Sequence, residues 1–383
     1  MNRVVQVVCL AAIGLLLTPA EAGHELPVYP SYYPQEIRVE VVDPASAAKL
    51  LPDARIHAYI GAEAAFDGPV PDAVSYVESL GSYLVLTFHP AFVKLNGKEA
   101  RCSAAEALAR TAAGQKGRLV FHPYPITPYH ADYLHHLDLA EGSKRPYLSR
   151  AAGKGGSPAP GLRVRAKGGL AVQVFGSPGV GGETEWDAIV EEVSAADLVA
   201  SHTVALNGWL GPPRVKAGWF HALALLGGTV SDLSVRETVE FLAGRLRRGE
   251  YGELEEGLNL ERDLVTLLRR GCERVVLGYT VKREYFNSEF SAGIENIAYD
   301  SETGLNSLLF IRTAKLKDFP WNGWLRIGIN TPPSAAWNPM GGFTDPAGRF
   351  IWHAVGDPAL LPAPYNDGWV LNRIADVRRE VRR

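Results

Sequence analysis

The sequence has 383 residues, of which 46% are hydrophobic and 21% are charged, which are ordinary values for a globular protein with a sizeable core. A formal net charge of −3 and a pI near 6.4 argue against nucleic acid as a partner, because phosphate neutralisation requires a basic surface. At roughly 150 residues per domain, the length suggests two domains or one elaborated domain.

Residues 1–22 have the pattern of a secretory signal peptide. Arg3 precedes an apolar run over 4–17, and the tripeptide Ala-Glu-Ala at 20–22 fits the small-x-small cleavage rule. The run is shorter than the roughly 20 residues that a membrane-spanning helix needs. We therefore expect a periplasmic or secreted protein, cleaved near Ala22–Gly23 and without stable membrane insertion.

Residues 23–152 alternate between strand and helix patterns. Helical composition is found at 44–54 and at 103–115, where Ser103 is a good N-cap and Gly114 lies near the end. Alternation at this spacing predicts a mixed α/β lobe with a largely parallel sheet. The predicted strands of this lobe lie at 37–43, 55–61, 82–88 and 117–123.

A linker-like stretch, "GKGGSPAPG" at 153–161, separates this lobe from a second mixed α/β lobe predicted at 162–317. Within the second lobe, strand patterns cover 162–176 and 274–286, and an alternating segment at 294–316 predicts a hairpin around the polar "SETG". Helical patterns cover 184–200, 235–251 and 260–271.

The C-terminal part, 318–383, carries five of the eight tryptophans and many Pro, Gly and Asn residues. Such composition is typical of loops, here interspersed with a short strand pattern, "WLRIGI". We expect this tail to pack back on the lobes, with its tryptophans buried as core anchors.

Two cysteines, Cys102 and Cys272, remain after removal of the signal peptide. In an oxidising compartment they can form one disulfide that ties the two halves together. Two buried free thiols are the equally plausible alternative.

The segment "HPYPITPYHADYLHH", residues 122–136, holds four of the ten histidines. Thr127 followed by Pro128 predicts a helix start, which places Asp132 and His136 one turn apart on one face. A carboxylate and an imidazole at that spacing can share a proton or a transition metal such as copper, zinc or iron; alternatively, these histidines serve as capping and hydrogen-bonding residues. The candidate metal ligands are His122, His130, Asp132, His135 and His136.

A second candidate site is a pocket for a solute. Two strands end in His-Pro, at His89 and His122, where a parallel sheet places its ligands. The Gly-rich turn at 176–184 opens a predicted helix, whose backbone N–H groups favour an anion, although a plain strand-to-helix turn explains it equally well. The candidate ligand-binding residues are His89, His122, Tyr124, Ser177, Gly179, Gly181 and Thr184.

No catalytic motif accompanies these sites. The sequence lacks HExxH, a Walker lysine and GxSxG, so no catalytic residue is assigned and a non-enzymatic role is favoured.

In outline the chain resembles the periplasmic solute-binding proteins of bacterial uptake systems, with "IRVEVVD" and "RIHAYIG" flanking a helix as at the start of such a lobe. The resemblance implies a small polar or anionic solute held between two lobes that close about a hinge at 153–161, with a membrane transporter as partner. The alternatives are a histidine-cluster metalloprotein, either an enzyme or a metal-handling factor, and an accessory subunit of a periplasmic oxidoreductase.

Overall fold

The computed structural model describes residues 34, 36–90, 97–115, 117–148, 162–176, 186–203, 213–318, 323–334, 345–356, 359–364 and 368–376. The predicted signal peptide, the linker at 153–161 and the turn residues 177–184 lie outside the described residues. Within the described ranges, no helix is both long enough and apolar enough to cross a bilayer.

The β-strands are β1 (Glu36–Val41), β2 (Ala58–Ile60), β3 (Val74–Phe88), β4 (Leu119–Phe121), β5 (Val164–Lys167), β6 (Ala188–Ser194), β7 (Arg274–Asn287), β8 (Ile294–Glu295), β9 (Lys315–Leu316), β10 (Trp324–Ile329), β11 (Leu360–Pro362) and β12 (Trp369–Leu371). The α-helices are α1 (Pro44–Leu50), α2 (Lys98–Ala113), α3 (Leu137–Leu148), α4 (Gly169–Phe175), α5 (Ala195–Thr203), α6 (Gly218–Leu226), α7 (Leu233–Arg248), α8 (Leu254–Arg269), α9 (Leu308–Thr313) and α10 (Pro346–Val355).

One eight-stranded sheet organises the molecule, in the order β1-β10-β2-β7-β3-β6-β5 with β4 paired to β7. The predicted mixed α/β class is confirmed. The sheet itself is mixed, whereas a largely parallel one was expected: β7 runs antiparallel to β2, β3 and β4. Strands β1 and β2 do not pair with β3. Strand β10, from the C-terminal part, lies between β1 and β2 and runs parallel to both. The division of the chain at 153–161 stays a prediction.

Helices cover both faces of the sheet. Because successive side chains on a strand point to opposite faces, Tyr83 and Val85 of β3 enter a core formed with α5–α8, while Leu84 and Leu86 enter a second core formed with α2 and α4. The first core also contains Tyr124 and so places the histidine segment beneath α6 and α8.

Cys102 and Cys272 form a disulfide, with their Cα atoms 5.2 Å apart. It joins α2, on one face of the sheet, to the turn that follows α8 on the other. A bridge between residues 170 positions apart restricts the unfolded chain strongly, by on the order of 5 kcal/mol in the chain-entropy description.

Two helix predictions and one strand prediction need correction. Helix α2 begins at Lys98, with Gly97 at the N-cap, so Ser103 lies inside the helix. Residues 162–176 are not one strand, since Gly168 at φ 95° turns the chain from β5 into α4. A helix was predicted at 184–200, but it starts only at Ala195. Residues 188–194 form strand β6, which is hydrogen-bonded to β3 on one side and to β5 on the other. These inter-strand hydrogen bonds outweigh the local helical pattern.

The predicted hairpin at 294–316 is reduced to the two-residue pair β8–β9. Asp300 and Gly304 close the "SETG" turn, and Ser307 then caps α9 through its hydroxyl, which accepts from Phe310 N–H at 3.1 Å. A side-chain cap therefore turns the second arm into a helix.

Among its described residues, the C-terminal part contributes apolar side chains of β10 and α10 to the core. Leu325 and Ile327 are fully buried between β1 and β2, whereas Trp324 is 51% exposed and Trp369 40% exposed. The prediction that the tail tryptophans are core anchors is wrong for these two. Trp324 lies instead against the guanidinium of Arg38, 4.4 Å from its ring centroid.

Candidate functional site

The histidine segment runs from the end of β4 across the first core. The predicted helix from Pro128 does not form there: His130 N–H donates to Thr127 O at 3.0 Å, and helical structure begins with a 3₁₀ turn over Tyr133–His136 that continues into α3. The imidazole of His130 folds back on Thr127, whose N–H donates to Nδ1 at 2.8 Å. This local hydrogen bond replaces the expected helix start.

His130 belongs to a buried cluster with Tyr83, His221 and Glu302, which we call the closed cluster. Since Thr127 N–H occupies Nδ1 of His130, the neutral ring carries its proton on Nε2, which donates to the Tyr83 hydroxyl at 2.9 Å. The hydroxyl then donates to His221 Nδ1 at 2.8 Å.

The chain of hydrogen bonds ends at the backbone, because His221 Nε2–H donates to Val215 O at 2.8 Å. Glu302 Oε1 lies 3.4 Å from the same nitrogen. Burial lowers the pKa of His130 well below 6.5 and raises the pKa of Glu302. Every ring nitrogen of the closed cluster therefore has a partner in one consistent arrangement of protons.

Asp132, His136 and Glu261 form a second group, the open cluster, whose ligand atoms lie within 4.8 Å of one another. Asp132 caps helix α6: its carboxylate accepts from Gly218 N–H at 2.6 Å and from Trp219 N–H at 3.1 Å. Burial raises the pKa of Asp132, and these two hydrogen bonds lower it. The predicted proximity of Asp132 and His136 is thus present, although a 3₁₀ turn rather than an α-helix produces it.

His136 is fully buried, and Tyr124 orients its ring. The Tyr124 hydroxyl is 2.7 Å from His136 Nδ1, while Nε2 has no hydrogen-bond partner among the described residues. Burial, with a contribution from Arg262, lowers the pKa of His136 to about 4. At neutral pH the ring is uncharged.

The structure does not gather the other predicted site residues into one place. His122 is fully buried and donates from Nε2 to Ile126 O at 2.7 Å, with a pKa that burial lowers to about 4. His135 is exposed, one residue away from the buried His136. His89 stacks edge-on against Trp186 at 4.7 Å between ring centroids.

The sheet separates His89 from His122. Phe88 N–H pairs with Glu273 O on one side of β7, and His122 N–H pairs with Leu277 O on the other side. Four residues along a strand correspond to about 13 Å, so the backbones of the two strand ends are well separated along β7. A shared solute pocket formed by His89, His122, Ser177, Gly179, Gly181 and Thr184 stays a prediction.

A cavity of about 300 Å³ lies beside the disulfide, at the edge of the first core. Its walls include Cys102 and Cys272, Tyr147 of α3, and two guanidinium groups, those of Arg269 and Arg274. Arg274 is paired with Glu191 at 2.8 Å.

Arg269 reaches this cavity from the last turn of α8. Its Nη2 donates to Ser143 Oγ at 2.9 Å and to Pro123 O at 3.4 Å, and its guanidinium carbon lies 4.6 Å from the ring centroid of Tyr124. Burial lowers the pKa of Arg269, and no carboxylate of the described residues forms an ion pair with it. A positive group in this position is suited to bind an anion.

Sequence reasoning missed Tyr83, His221, Glu261, Glu302 and Arg269. Each of these residues lies outside the histidine segment. No sequence motif with a characteristic spacing includes both them and the segment. The one signal available was chemical type: a histidine in the apolar run "GWFHALALL" of α6 is an ionisable group on a buried helix.

No protein-family model matches the sequence, and no curated protein matches it. Solved structures with similarity include the nickel ABC transporter from Bacillus halodurans, at 12% identity over 67% of this chain and 58% of that chain, with a TM-score of 0.40. The oligopeptide-binding protein AppA from Bacillus subtilis, in complex with a nonapeptide, gives 12% identity over 69% and 57% with a TM-score of 0.36.

The PBP AgaA from A. tumefaciens R10, in complex with agropinic acid, gives 12% identity over 72% of this chain and 59% of that chain, with a TM-score of 0.37. The chain therefore spans less than two thirds of the length of each of these three proteins.

Proposed function

We propose that the chain is an exported, non-enzymatic binding protein for a small anionic solute, and that the cavity beside the disulfide holds the solute's carboxylate or phosphate group. The observation that carries this proposal is the guanidinium of Arg269 in the cavity wall, half-buried and without an ion pair among the described residues. A buried positive group without a counter-charge is costly, and an anionic ligand removes that cost.

The charges around the cavity support an anion rather than a cation. Arg269 contributes a positive charge that has no ion pair among the described residues. The other two charged groups of the wall are already paired, Arg274 with Glu191 and Glu106 with Arg110. The Arg274 Nε atom is buried and has no hydrogen-bond partner within the described part of the chain. Two guanidinium groups with spare N–H donors match the bidentate geometry of a carboxylate or phosphate.

The size and the remaining walls favour a small solute. A volume of about 300 Å³ is at the lower end of ligand pockets in proteins. Pro123, Pro125 and Pro146 line it with Tyr147 and the disulfide, so carbon and sulfur surfaces face the part of the solute that carries no charge. A dicarboxylate or an amino-acid derivative fits this combination better than a peptide.

Two of the residues predicted to bind the solute lie behind the cavity. Tyr124 supports the guanidinium of Arg269 with its ring, and the ring of His122 is 6.4 Å from that of Tyr124 between centroids. In this proposal they position Arg269 rather than touch the solute. Closure of two lobes over the solute and delivery to a membrane transporter remain parts of the proposal.

The first prediction tests the cavity. The purified chain is unfolded by urea in the presence of succinate, glutamate or inorganic phosphate, each at several concentrations. We expect at least one of them to stabilise the protein, by about 2.7 kcal/mol at 100 times its dissociation constant. Arg269→Gln should weaken that binding at least tenfold, because it removes the charge and keeps most of the side-chain volume.

Arg270→Gln is the matched control, since Arg270 is the exposed neighbour of Arg269 at the end of α8. It should bind the solute as the unsubstituted protein does. If none of the three solutes stabilises the protein, the proposed function is contradicted. If Arg269→Gln binds as tightly as Arg270→Gln, the solute lies elsewhere.

A further inference from the structure

We propose that the open cluster, Asp132, His136 and Glu261, binds one divalent transition-metal ion of the Zn²⁺ type. The site would join the histidine segment to the middle of helix α8. It uses two of the five metal ligands predicted from sequence and adds a third that sequence did not indicate. It is independent of the solute cavity and does not rest on the proposed function.

The donor set is the first argument. The ligand atoms of one imidazole and two carboxylates lie within 4.8 Å of one another, so a single ion between them needs only small side-chain movements. His and Asp or Glu bind Zn²⁺ at about 2.0–2.2 Å, and three protein ligands with a fourth position for water form a common tetrahedral site. Glu261 is half-buried, whereas Asp132 and His136 are buried.

The unpartnered nitrogen of His136 is the second and independent argument. The residue is fully buried, and Nε2 has no hydrogen-bond partner among the described residues. Buried polar atoms are nearly always satisfied, so an unpartnered imidazole nitrogen close to two carboxylates is a candidate metal ligand. A metal on Nε2 leaves the proton on Nδ1, which then donates to the Tyr124 hydroxyl oxygen 2.7 Å away. Such an outer hydrogen bond orients the metal-binding histidines of known sites.

The electrostatics of the open cluster also favour a cation. Asp132 and Glu261 bring two carboxylates together, and the nearest basic side chain along α8, Arg262, is already bonded bidentately to Asp138 at 2.7 Å for each pair. A divalent ion would neutralise both carboxylates in a partly buried setting. The N–H groups of Gly218 and Trp219 hold Asp132 in place while leaving lone pairs on its oxygens.

The closed cluster does not offer the same opportunity. His130, His221 and Glu302 also lie within 4.8 Å of one another, but both rings are engaged through hydrogen bonds to Tyr83 and to the backbone. A metal there would have to break this chain of hydrogen bonds. In the open cluster, a metal on Nε2 of His136 would leave the contact between Nδ1 and the Tyr124 hydroxyl in place.

The site is tested by measuring zinc binding to the purified, untagged chain. Bound metal is first removed with a chelator, which is then removed by dialysis. Titration with Zn²⁺ against a competing metal-responsive dye should give one tight equivalent. His136→Gln and Glu261→Gln should each lower the affinity at least about 100-fold, because even the loss of an outer-shell partner costs 10–100-fold. Glu261→Gln keeps the test valid if His136→Gln fails to fold.

Two control variants complete the design. His135→Gln changes the exposed neighbour on the same 3₁₀ turn and should bind Zn²⁺ as the unsubstituted chain does. Glu302→Gln, in the closed cluster, should also leave the affinity unchanged. The proposal is overturned if the chain binds no Zn²⁺, if Glu261→Gln binds it normally, or if Glu302→Gln abolishes binding.

Discussion

The closed and open clusters lie in the same core and contain similar residues, but they satisfy their polar atoms differently. In the closed cluster Tyr83 bridges two imidazoles, and each ring nitrogen is used by a neighbour. In the open cluster Tyr124 contacts one nitrogen of His136 and leaves the other without a partner. Residue type alone therefore does not distinguish a structural histidine from a candidate ligand. His122 Nδ1 is also buried without a partner among the described residues, so the distinguishing feature of His136 is an unpartnered nitrogen together with two nearby carboxylates.

Of the three substitutions that test this difference between the clusters, Tyr83→Phe should lower the free energy of unfolding the most. It removes the hydroxyl that joins His130 to His221 and leaves two buried ring nitrogens unpaired, each of which costs about 1–3 kcal/mol. We expect the free energy of unfolding, measured with urea, to fall by about 3 kcal/mol. Zinc affinity should stay unchanged, and a parallel loss of zinc binding would show that the two clusters are not separate.

Gly218→Ala should lower the free energy of unfolding by an intermediate amount. It should also displace the Asp132 carboxylate of the open cluster. An added Cβ would lie 2.4 Å from Ile126 Cγ2 and 2.9 Å from Asp132 Oδ1, so the Asp132 carboxylate must move from its cap position. Overpacking of this kind costs about 2 kcal/mol. We expect a weaker zinc equivalent by dye competition as well, whereas retained affinity with lower stability would argue against Asp132 as a ligand.

Tyr124→Phe should have the smallest effect on the metal-free protein. It removes a single hydrogen bond, to His136 Nδ1, and should lower the free energy of unfolding by about 1 kcal/mol. The zinc affinity should fall about tenfold, since the ring of His136 loses the partner that orients it. If Tyr124→Phe lowers the free energy of unfolding as much as Tyr83→Phe does, the two hydroxyl groups contribute equally and the proposed difference between the two clusters is refuted.

The sequence predicted the elements with strong local patterns. The alternation of "IRVEVVD", "WLRIGI" and "RVVLGYTVKREYF" corresponds to β1, β10 and β7. The amphipathic stretches 235–251 and 260–271 overlap α7 and α8, which end at Arg248 and Arg269. Local patterns failed where a long-range partner decided the outcome. Residues 188–194 form β6 because strands lie on both sides of them, and a helical pattern cannot reveal those neighbours.

For the candidate site, sequence spacing indicated Asp132 and His136 but could not indicate which residues would meet them. Glu261 is 125 positions beyond His136, and His221 is 138 positions beyond Tyr83. Likewise, Arg269 and Arg274 flank Cys272 in the sequence, yet the cavity they line exists only because Cys102 of α2 is bonded there.

The sequence by itself determined that this chain is a mixed α/β protein with a histidine-rich segment in which a carboxylate and an imidazole share one face. The tertiary structure decided which nitrogen atoms are occupied, which carboxylates lie near them and which guanidinium, within the described ranges, has no ion pair. The physical reason is that hydrophobic periodicity acts over a few residues, whereas the satisfaction of buried polar groups depends on partners that only the paired sheet and its packed helices bring within hydrogen-bond distance.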